Sequence, residues 1–504
     1  MPPQSPHQAP HEALLKQALQ AHQQGRLDAA HDLYGQVLAL APRQFDALHL
    51  LGVIARQRGD ARQAVDLIRD ALQVDASQAR AHANLGAALQ DLGDAQGSLD
   101  SYEAALRLDP RYPLAWLNRG NALRRLGRLP EALDSYEHAL GLRHDYPEAW
   151  CYRAIVLNDL GRHQEAADSA ERVLQLRRDD PEALLALGNA LQALERFTPA
   201  VAAYERALAR ANRADLWCAR GAALKKSGDL EQALDSYERA LALQPNYALA
   251  QHYRANVLRA LGRNADAIAA YRAALALGAD AAEIDFALAA LGQGEQPAAA
   301  PPDYIKGLFD QYAGHFDRHL VEVLGYRTPA LLKDLLDRHV NAPVDAALDL
   351  GCGTGLCAPF LKPLARHLTG VDLSQRMLDK AHALHLYDAL DNADIGDFLR
   401  EDKQAARYGL VLAADVFVYF GDLAPVFAQV KDALQRGGWF AFSVESTAGG
   451  GYTILPSNRF AHAPAYVEAI AAAAGFDIVE TATAALRHEH GQDVTGRLFL
   501  LRKP

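Results

Sequence analysis

Cysteine is scarce in this chain, and so are long apolar runs. Of 504 residues, four are cysteine: Cys151, Cys218, Cys352 and Cys357. None stands in a Cys-Xaa-Xaa-Cys pair, and they form no disulfide-like framework, so a reducing compartment is expected. No stretch of eighteen apolar residues occurs, so no membrane span is expected. Met1-Pro2-Pro3-Gln4-Ser5-Pro6 lacks the basic start and apolar centre of a secretory signal, and residues 1–10 read as a disordered, proline-rich N-terminus. A cytoplasmic location follows as the default. Positive charge is also in deficit, with 51 Lys and Arg against 62 Asp and Glu and a formal net charge of −11. That balance argues against a general binder of nucleic acid. Apolar material is plentiful: 50% of residues are hydrophobic, ample for the cores of about three domains.

The first half repeats. Gly25, Gly59, Gly93, Gly127 and Gly161 follow one another at intervals of 34 residues. Glu195 takes the next slot, and Gly228 and Gly262 continue the series after a one-residue deletion. Tyr34, Tyr102, Tyr136, Tyr204, Tyr237 and Tyr271 recur in the same frame, as do Gly52, Gly86, Gly120, Gly188 and Gly221. This period, with small residues at fixed slots, resembles the tetratricopeptide repeat, a pair of antiparallel helices. The resemblance implies about eight repeats from residue 11 to about 278, with Ala281–Leu291 as a capping helix. An all-α array over 11–291 results, stabilised by stacking because no repeat buries its own apolar face.

Such arrays present a groove to a protein or peptide. By the repeat frame Asn84 and Asn118 share one slot, and Asn121, Asn189 and Asn256 share another. The resemblance makes these five asparagines candidate groove residues. Arg124, Arg125, Lys225, Lys226 and Arg259 fall near the end of the same helix and are candidates to meet acidic groups. Trp116, Trp150 and Trp217 share a slot that reads as packing.

Residues 292–302 are rich in glycine, alanine and proline without periodicity and read as a linker. Residues 303–504 then alternate strand and helix. Strands are expected at Leu348–Leu350, His367–Asp372, Asn392–Ile395, Leu410–Ala414, Trp439–Glu445, Ile478–Ala485 and Gly496–Arg502. Helices are expected at Ser374–His385 and Ala424–Leu434. Alternation of this kind makes a parallel sheet covered on both faces.

The most telling motif is Asp349-Leu350-Gly351-Cys352-Gly353-Thr354-Gly355. An apolar run leads into it, and Gly370-Val371-Asp372-Leu373 follows, with Asp372 about twenty residues past the glycines, the offset of a ribose-binding acid. A dinucleotide fingerprint would place glycine or alanine at 356, where Leu356 stands, and no Gly-Lys-Ser/Thr follows for a Walker loop. The pattern resembles class I S-adenosylmethionine-dependent methyltransferases. With the first half, the whole resembles bacterial methyltransferases that carry an N-terminal tetratricopeptide array. The expected architecture is therefore an all-α solenoid followed by an α/β, Rossmann-like class I methyltransferase domain.

The resemblance implies S-adenosylmethionine as cofactor and assigns residues to it. The loop residues Gly351, Cys352, Gly353 and Gly355 would face its amino-acid part, with Asp349 a further cofactor-binding candidate at the same crevice. Asp372 would accept hydrogen bonds from both ribose hydroxyls, Leu373 is a further cofactor-binding candidate, and Asp394 with Ile395 would contact adenine. Asp415 would sit beside the methyl group. Phe309-Asp310-Gln311-Tyr312 and Phe316-Asp317 resemble the segment that covers the cofactor in this family, making Tyr312 and Phe316 lid candidates. Tyr419 and Phe417 are candidates to face the sulfonium.

Asp415 and His462 are candidate bases, needed only where the acceptor carries a proton. Arg459 is a candidate for an acidic acceptor, set against a salt bridge. His488-Glu489-His490 reads as a turn between strands, and no His-Glu-Xaa-Xaa-His pattern exists, so no metal is expected. No Asn-Pro-Pro-Tyr stretch follows strand four; Asp415-Val416-Phe417-Val418 stands there, which disfavours methylation of nucleic-acid bases. The expected function is methyl transfer to an acceptor recruited through the array. The alternative is a scaffold whose methyltransferase-like domain is weak or inactive.

Overall fold

The computed structural model describes residues 10–314, 316–489 and 491–504, without the side chains of Gln311, Val321, Glu322 and Asp402. The segment expected to be disordered lies outside the described residues except for Pro10, the first residue of a helix. The chain divides into two compact units, one ending at Leu261 and one running from Gly262 to Pro504.

The first unit is helical throughout. Pro113–Arg125 and Leu129–Leu142 form one of its hairpins. Gly25, Gly59, Gly93, Gly127, Gly161 and Gly228 carry φ between +72° and +89°, a turn conformation that costs glycine little. Glu195, in the slot without glycine, is held in the same left-handed region at φ +58°. Aspartates start several second helices; Asp94, for example, accepts from the Gly97 N–H at 2.9 Å.

The second glycine series lets helices approach. A Cβ at Gly188 would lie 2.4 Å from Tyr204 Cε1, and one at Gly120 would lie 2.5 Å from Tyr136 Cε1. The tyrosines of this frame are buried. One continuous apolar cluster runs from Ala83 to Leu216, as stacking requires. Arg119, Arg153 and Arg220 repeat a cross-link at one slot, each donating to a serine of the following helix at 2.6–2.7 Å.

The asparagine ladder is partly spoken for. Asn121 and Asn189 accept hydrogen bonds from Tyr136 and Tyr204, each at 2.8 Å. Asn84 Nδ2 pairs with His49 Nε2 at 2.8 Å. Asn118 and Asn256 are half-buried. Trp116 and Trp150 are half-buried and donate their indole N–H to backbone carbonyls, as packing residues do.

Among its described residues the second unit contains a nine-stranded sheet. Its strands are β1 Val344–Leu350, β2 Ala365–Asp372, β3 Ala389–Asn392, β4 Tyr408–Ala413, β5 Leu434–Ser446, β6 Tyr452–Ile454, β7 Phe460–His462, β8 Asp477–Glu489 and β9 Gln492–Arg502. The order β3-β2-β1-β4-β5 is parallel. β9 then pairs antiparallel with β5, and β8 with β9. The small β6–β7 hairpin joins the end of β5 through Glu445–Ser446. β6 and β7 are not among the strands expected from the sequence. These three-residue strands show no alternation long enough to detect.

Strand three was expected at Asn392–Ile395 but ends at Asn392. Asp394 instead caps helix Ile395–Leu399, accepting from the Gly396 N–H at 2.8 Å. The carboxylate competes for backbone donors, which a strand would not leave free.

Part of the segment read as linker belongs to the wall of the second unit. Ala298 O accepts from Gly421 N at 2.8 Å, and Ala300 N donates to Tyr419 O at 2.9 Å. Phe286, Ala300, Ile454 and Phe460 form one apolar cluster with Tyr304 packed against it.

Candidate functional site

A cavity of about 680 Å³ lies at the carboxyl ends of β1, β2 and β4. Parallel strands direct their ends, and the loops after them, to one side of the sheet. Gly351 and Gly353 line the cavity from the loop after β1. Their φ values are +61° and +54°. A Cβ on Gly353 would meet only Phe316 Cε1, at 3.9 Å, so its backbone borders open space.

Asp372, at the end of β2, ties this loop in place. Its Oδ2 accepts from the Gly353 N–H at 2.9 Å and its Oδ1 from the Ser374 N–H at 2.8 Å. Burial raises its pKa, against the pull of these bonds. Leu373, Asp394 and Ile395 line the cavity beside it.

Asp349, Cys352 and Gly355 do not line the cavity. Asp349 is buried beneath the loop, where Tyr387 donates to its Oδ2 at 2.6 Å. Burial pushes its carboxyl up to about 7, the Tyr387 bond opposing. Cys352 is buried, and burial pushes its thiol pKa well up. A Cβ on Gly355 would strike Leu384 Cδ1 at 2.8 Å, so that glycine serves packing under the loop.

The segment after the linker covers the cavity. Helix Pro302–Tyr312 contributes Tyr304, Phe309 and Tyr312, and Phe316 follows. Tyr312 and Phe316 meet edge to face with centroids 5.1 Å apart. Two hydrogen bonds fasten this cover to the loops below. Ser374 Oγ donates to Asp310 Oδ1 at 2.6 Å, and Thr354 donates to Asp317. His319 also lines the cavity, with Nδ1 against the Tyr312 hydroxyl.

Asp415 follows β4 with φ +54°, a strained region for a residue with a side chain. Its Oδ1 accepts from Ser443 Oγ at 2.8 Å and its Oδ2 from Arg487 Nη1 at 3.1 Å. Tyr419 lines the cavity, while Phe417 is fully buried among Phe427, Phe440 and Phe442 and does not. His462 is also away from the cavity lining. It is fully buried with Nε2 3.1 Å from Gly421 O, and burial pushes its pKa down to about 4.

Arg487 and Glu445, which no motif marks, complete the polar wall with Arg459 and Glu489. Arg487 is 6% exposed and meets three carboxylates: Asp415, Glu489 at 2.8 Å and Glu445. Arg459 reaches Glu445 at 2.8 Å and Glu489 at 2.5 Å. The salt-bridge reading of Arg459 matches this geometry, yet Arg459 also lines the cavity. Glu489 is held below its usual pKa range, burial being outweighed by bonds from Arg487 and Arg459. The available signal was a lone charge inside an apolar strand, as in Val444-Glu445 and Leu486-Arg487. Among the described residues no group of three or more His, Cys, Asp or Glu is placed to hold a metal ion.

A family model described as a methyltransferase domain matches residues 348–440, from β1 to β5. The second unit contains a methyltransferase domain. Tetratricopeptide-repeat models match residues 15–81, 49–113, 84–149, 117–183, 153–215 and 214–247, so the chain joins an N-terminal repeat array to that domain. The domain is similar to the ubiquinone biosynthesis O-methyltransferase of Paraburkholderia phytofirmans, 27% identical over 110 residues, 21% of this chain and 47% of that protein. It is also similar to the protein of the same name from Thiobacillus denitrificans, 33% identical over 99 residues, 19% of this chain and 42% of that protein. The chain thus spans about half the length of these relatives or less. Among solved structures, a tetratricopeptide repeat protein from Parabacteroides merdae matches at 18% identity and TM-score 0.40, covering 49% of this chain and 98% of that one. Pseudomonas aeruginosa pilF matches at 25% identity and TM-score 0.38, covering 42% and 97%. Among the described residues, the methyltransferase domain and the array contain no helix long and apolar enough to cross a membrane.

Proposed function

We propose that the protein is an S-adenosylmethionine-dependent methyltransferase whose repeat array recruits the acceptor or a partner that carries it. The single observation that carries this reading is the hydrogen bond from Gly353 N–H to Asp372, beside open space at the end of the parallel strands. The methyltransferase-domain match over the same residues supports it.

The residues present fit the cofactor. Asp372 offers a carboxylate with lone pairs left over for ribose hydroxyls. Asp394 and Ile395 offer an acceptor and an apolar face for adenine. Gly351 and Gly353 offer bare backbone for the amino-acid part, Leu373 lines the cavity beside Asp372, and Tyr312 belongs to the aromatic cover. When bound, S-adenosylmethionine supplies a methyl group already activated by a sulfonium.

The protein's own part is alignment, which is worth up to roughly 7–11 kcal/mol in favourable cases. The aromatic cover shields part of the cavity from water. Asp415 orients the end nearest β4, held by Ser443 and Arg487. His462, buried outside the cavity lining, is not placed to take a proton from the acceptor. The array's partner is a protein or peptide, the kind of ligand its repeats are built to hold.

Calorimetry with S-adenosylmethionine and S-adenosylhomocysteine tests the reading on the wild type and on Asp372→Ala. Binding lost in the variant supports it. A folded wild type that binds neither compound overturns it.

A further inference from the structure

The charges around the cavity bear on the acceptor. Among the described lining residues the carboxylates are Asp372, Asp394, Asp415 and Glu489, and the permanent cations are Arg459 and Arg487. Four against two leaves a negative lining even after the single net positive charge of S-adenosylmethionine. Glu445, 3% exposed, adds a further carboxylate behind Arg487 and Arg459.

Both guanidiniums are engaged. Arg487 contacts Asp415, Glu445 and Glu489, and Arg459 contacts Glu445 and Glu489. An anionic acceptor would compete with Glu445, Glu489 and Asp415 for these two guanidiniums and would face the repulsion of all three carboxylates. A hydrogen-bond donor meets no such cost. Each carboxylate oxygen has two lone pairs, and Glu489 Oε1 and Oε2 each accept one bond from an arginine.

The aromatic lining, part of which also serves the cofactor, points the same way. Tyr304, Phe309, Tyr312 and Tyr419 border the same cavity. Aromatic faces attract cations, more strongly where water is excluded.

We infer that the acceptor presents a basic nitrogen, an amine or guanidine, on an apolar or aromatic body, that Glu489 and Asp415 receive its N–H groups, and that one N–H proton leaves through these carboxylates to water, freeing the lone pair that takes the methyl group as its bond to sulfur breaks. This rests on the methyltransferase reading of the cavity. The nitrogen belongs either to a small amine or to a side chain of a protein brought by the array, and the two sources share this chemistry.

The test uses the full chain, with and without saturating S-adenosylhomocysteine, titrated calorimetrically with compounds that differ in one group. Tyramine carries an ammonium, 4-ethylphenol no charge, and 4-hydroxyphenylacetate a carboxylate. A capped Gly-Lys-Gly peptide supplies the side-chain source. The expected result is that tyramine or the lysine peptide binds about tenfold or more tightly than 4-hydroxyphenylacetate and 4-ethylphenol. Tyramine ahead indicates a small amine; the peptide ahead indicates a protein side chain. Glu489→Gln is expected to reduce that preference about tenfold while S-adenosylhomocysteine binds as before. The wild-type comparison stands by itself if the variant does not fold.

Equal binding of tyramine and 4-ethylphenol overturns the inference and favours an oxygen acceptor, the kind named in the relatives' O-methyltransferase description. Preference for the carboxylate, or no binding of any probe, also overturns it. Failure of S-adenosylhomocysteine to bind while the amine preference holds would remove the cofactor reading alone.

Discussion

The carboxylate of Asp372 and the backbone N–H of Gly353 lie 2.9 Å apart, so the end of β2 holds the glycine loop that follows β1. Asp372 therefore has two tasks, shaping the loop and offering lone pairs to a ligand. Asp372→Asn keeps one carbonyl oxygen and loses the charge; Asp372→Ala loses both. Cofactor affinity is expected to fall about tenfold in the first and about a hundredfold or more in the second. Calorimetry with S-adenosylhomocysteine measures both. Equal losses would mean that the charge alone matters.

Asp349 carries a pH dependence. Its folded-state pKa is about 7, raised chiefly by burial from 3.8, while the Tyr387 hydroxyl opposes the shift and the Asp372 charge adds to it. The folded state thus keeps its proton to higher pH than the unfolded state. The stability gained this way is fully present below pH 3.8 and is lost as the pH rises through about 7. Asp349→Asn cannot titrate. The calorimetric unfolding transition of the second unit is expected to depend less on pH between 4 and 7 in the variant. Its shift on adding S-adenosylhomocysteine identifies that transition. An unchanged slope would show that Asp349 does not dominate it.

Glu195 breaks the glycine series of the array while keeping its backbone conformation, with φ +58°. A residue with a side chain is strained there by about 1–2 kcal/mol. Glycine removes the strain and brings back about 0.5–1 kcal/mol of chain entropy. Glu195→Gly is expected to stabilise the array by about 0.5–1 kcal/mol, read as a higher midpoint in urea. A lower midpoint would mean that the Glu195 side chain makes a contact worth more than the strain.

The methyltransferase domain is expected to need residues before 303. Ala298 O and Ala300 N pair with the backbone at Gly421 and Tyr419, and Phe286 packs with Phe460. A fragment of residues 279–504 is expected to melt higher and bind S-adenosylhomocysteine more tightly than one of residues 303–504. Identical behaviour of the two would place the functional boundary at the proline pair before Asp303.

The periodic features were legible along the chain. Glycines and tyrosines in fixed frames dictated helix pairs, because a tight turn needs positive φ and close helices need a missing Cβ. The buried runs before Gly351 and Asp372 dictated parallel strands with a ligand loop between them. The polar wall was not legible. Arg487 and Glu445 are 42 residues apart, and Arg459 and Glu489 are 30 apart, with no local pattern linking them. They meet only because β8 returns through β9 to lie beside β5, while the β6–β7 hairpin brings Arg459 alongside. Likewise, Asp349, Cys352 and Gly355 stand in the same motif as Gly351 and Gly353 yet are buried under the loop. Which side of a turn faces a ligand depends on what packs against the other side, here Leu384 and Tyr387 against Gly355. Local sequence determined where the chain turns and which elements form; tertiary packing decided which charges meet and which remain open to a ligand.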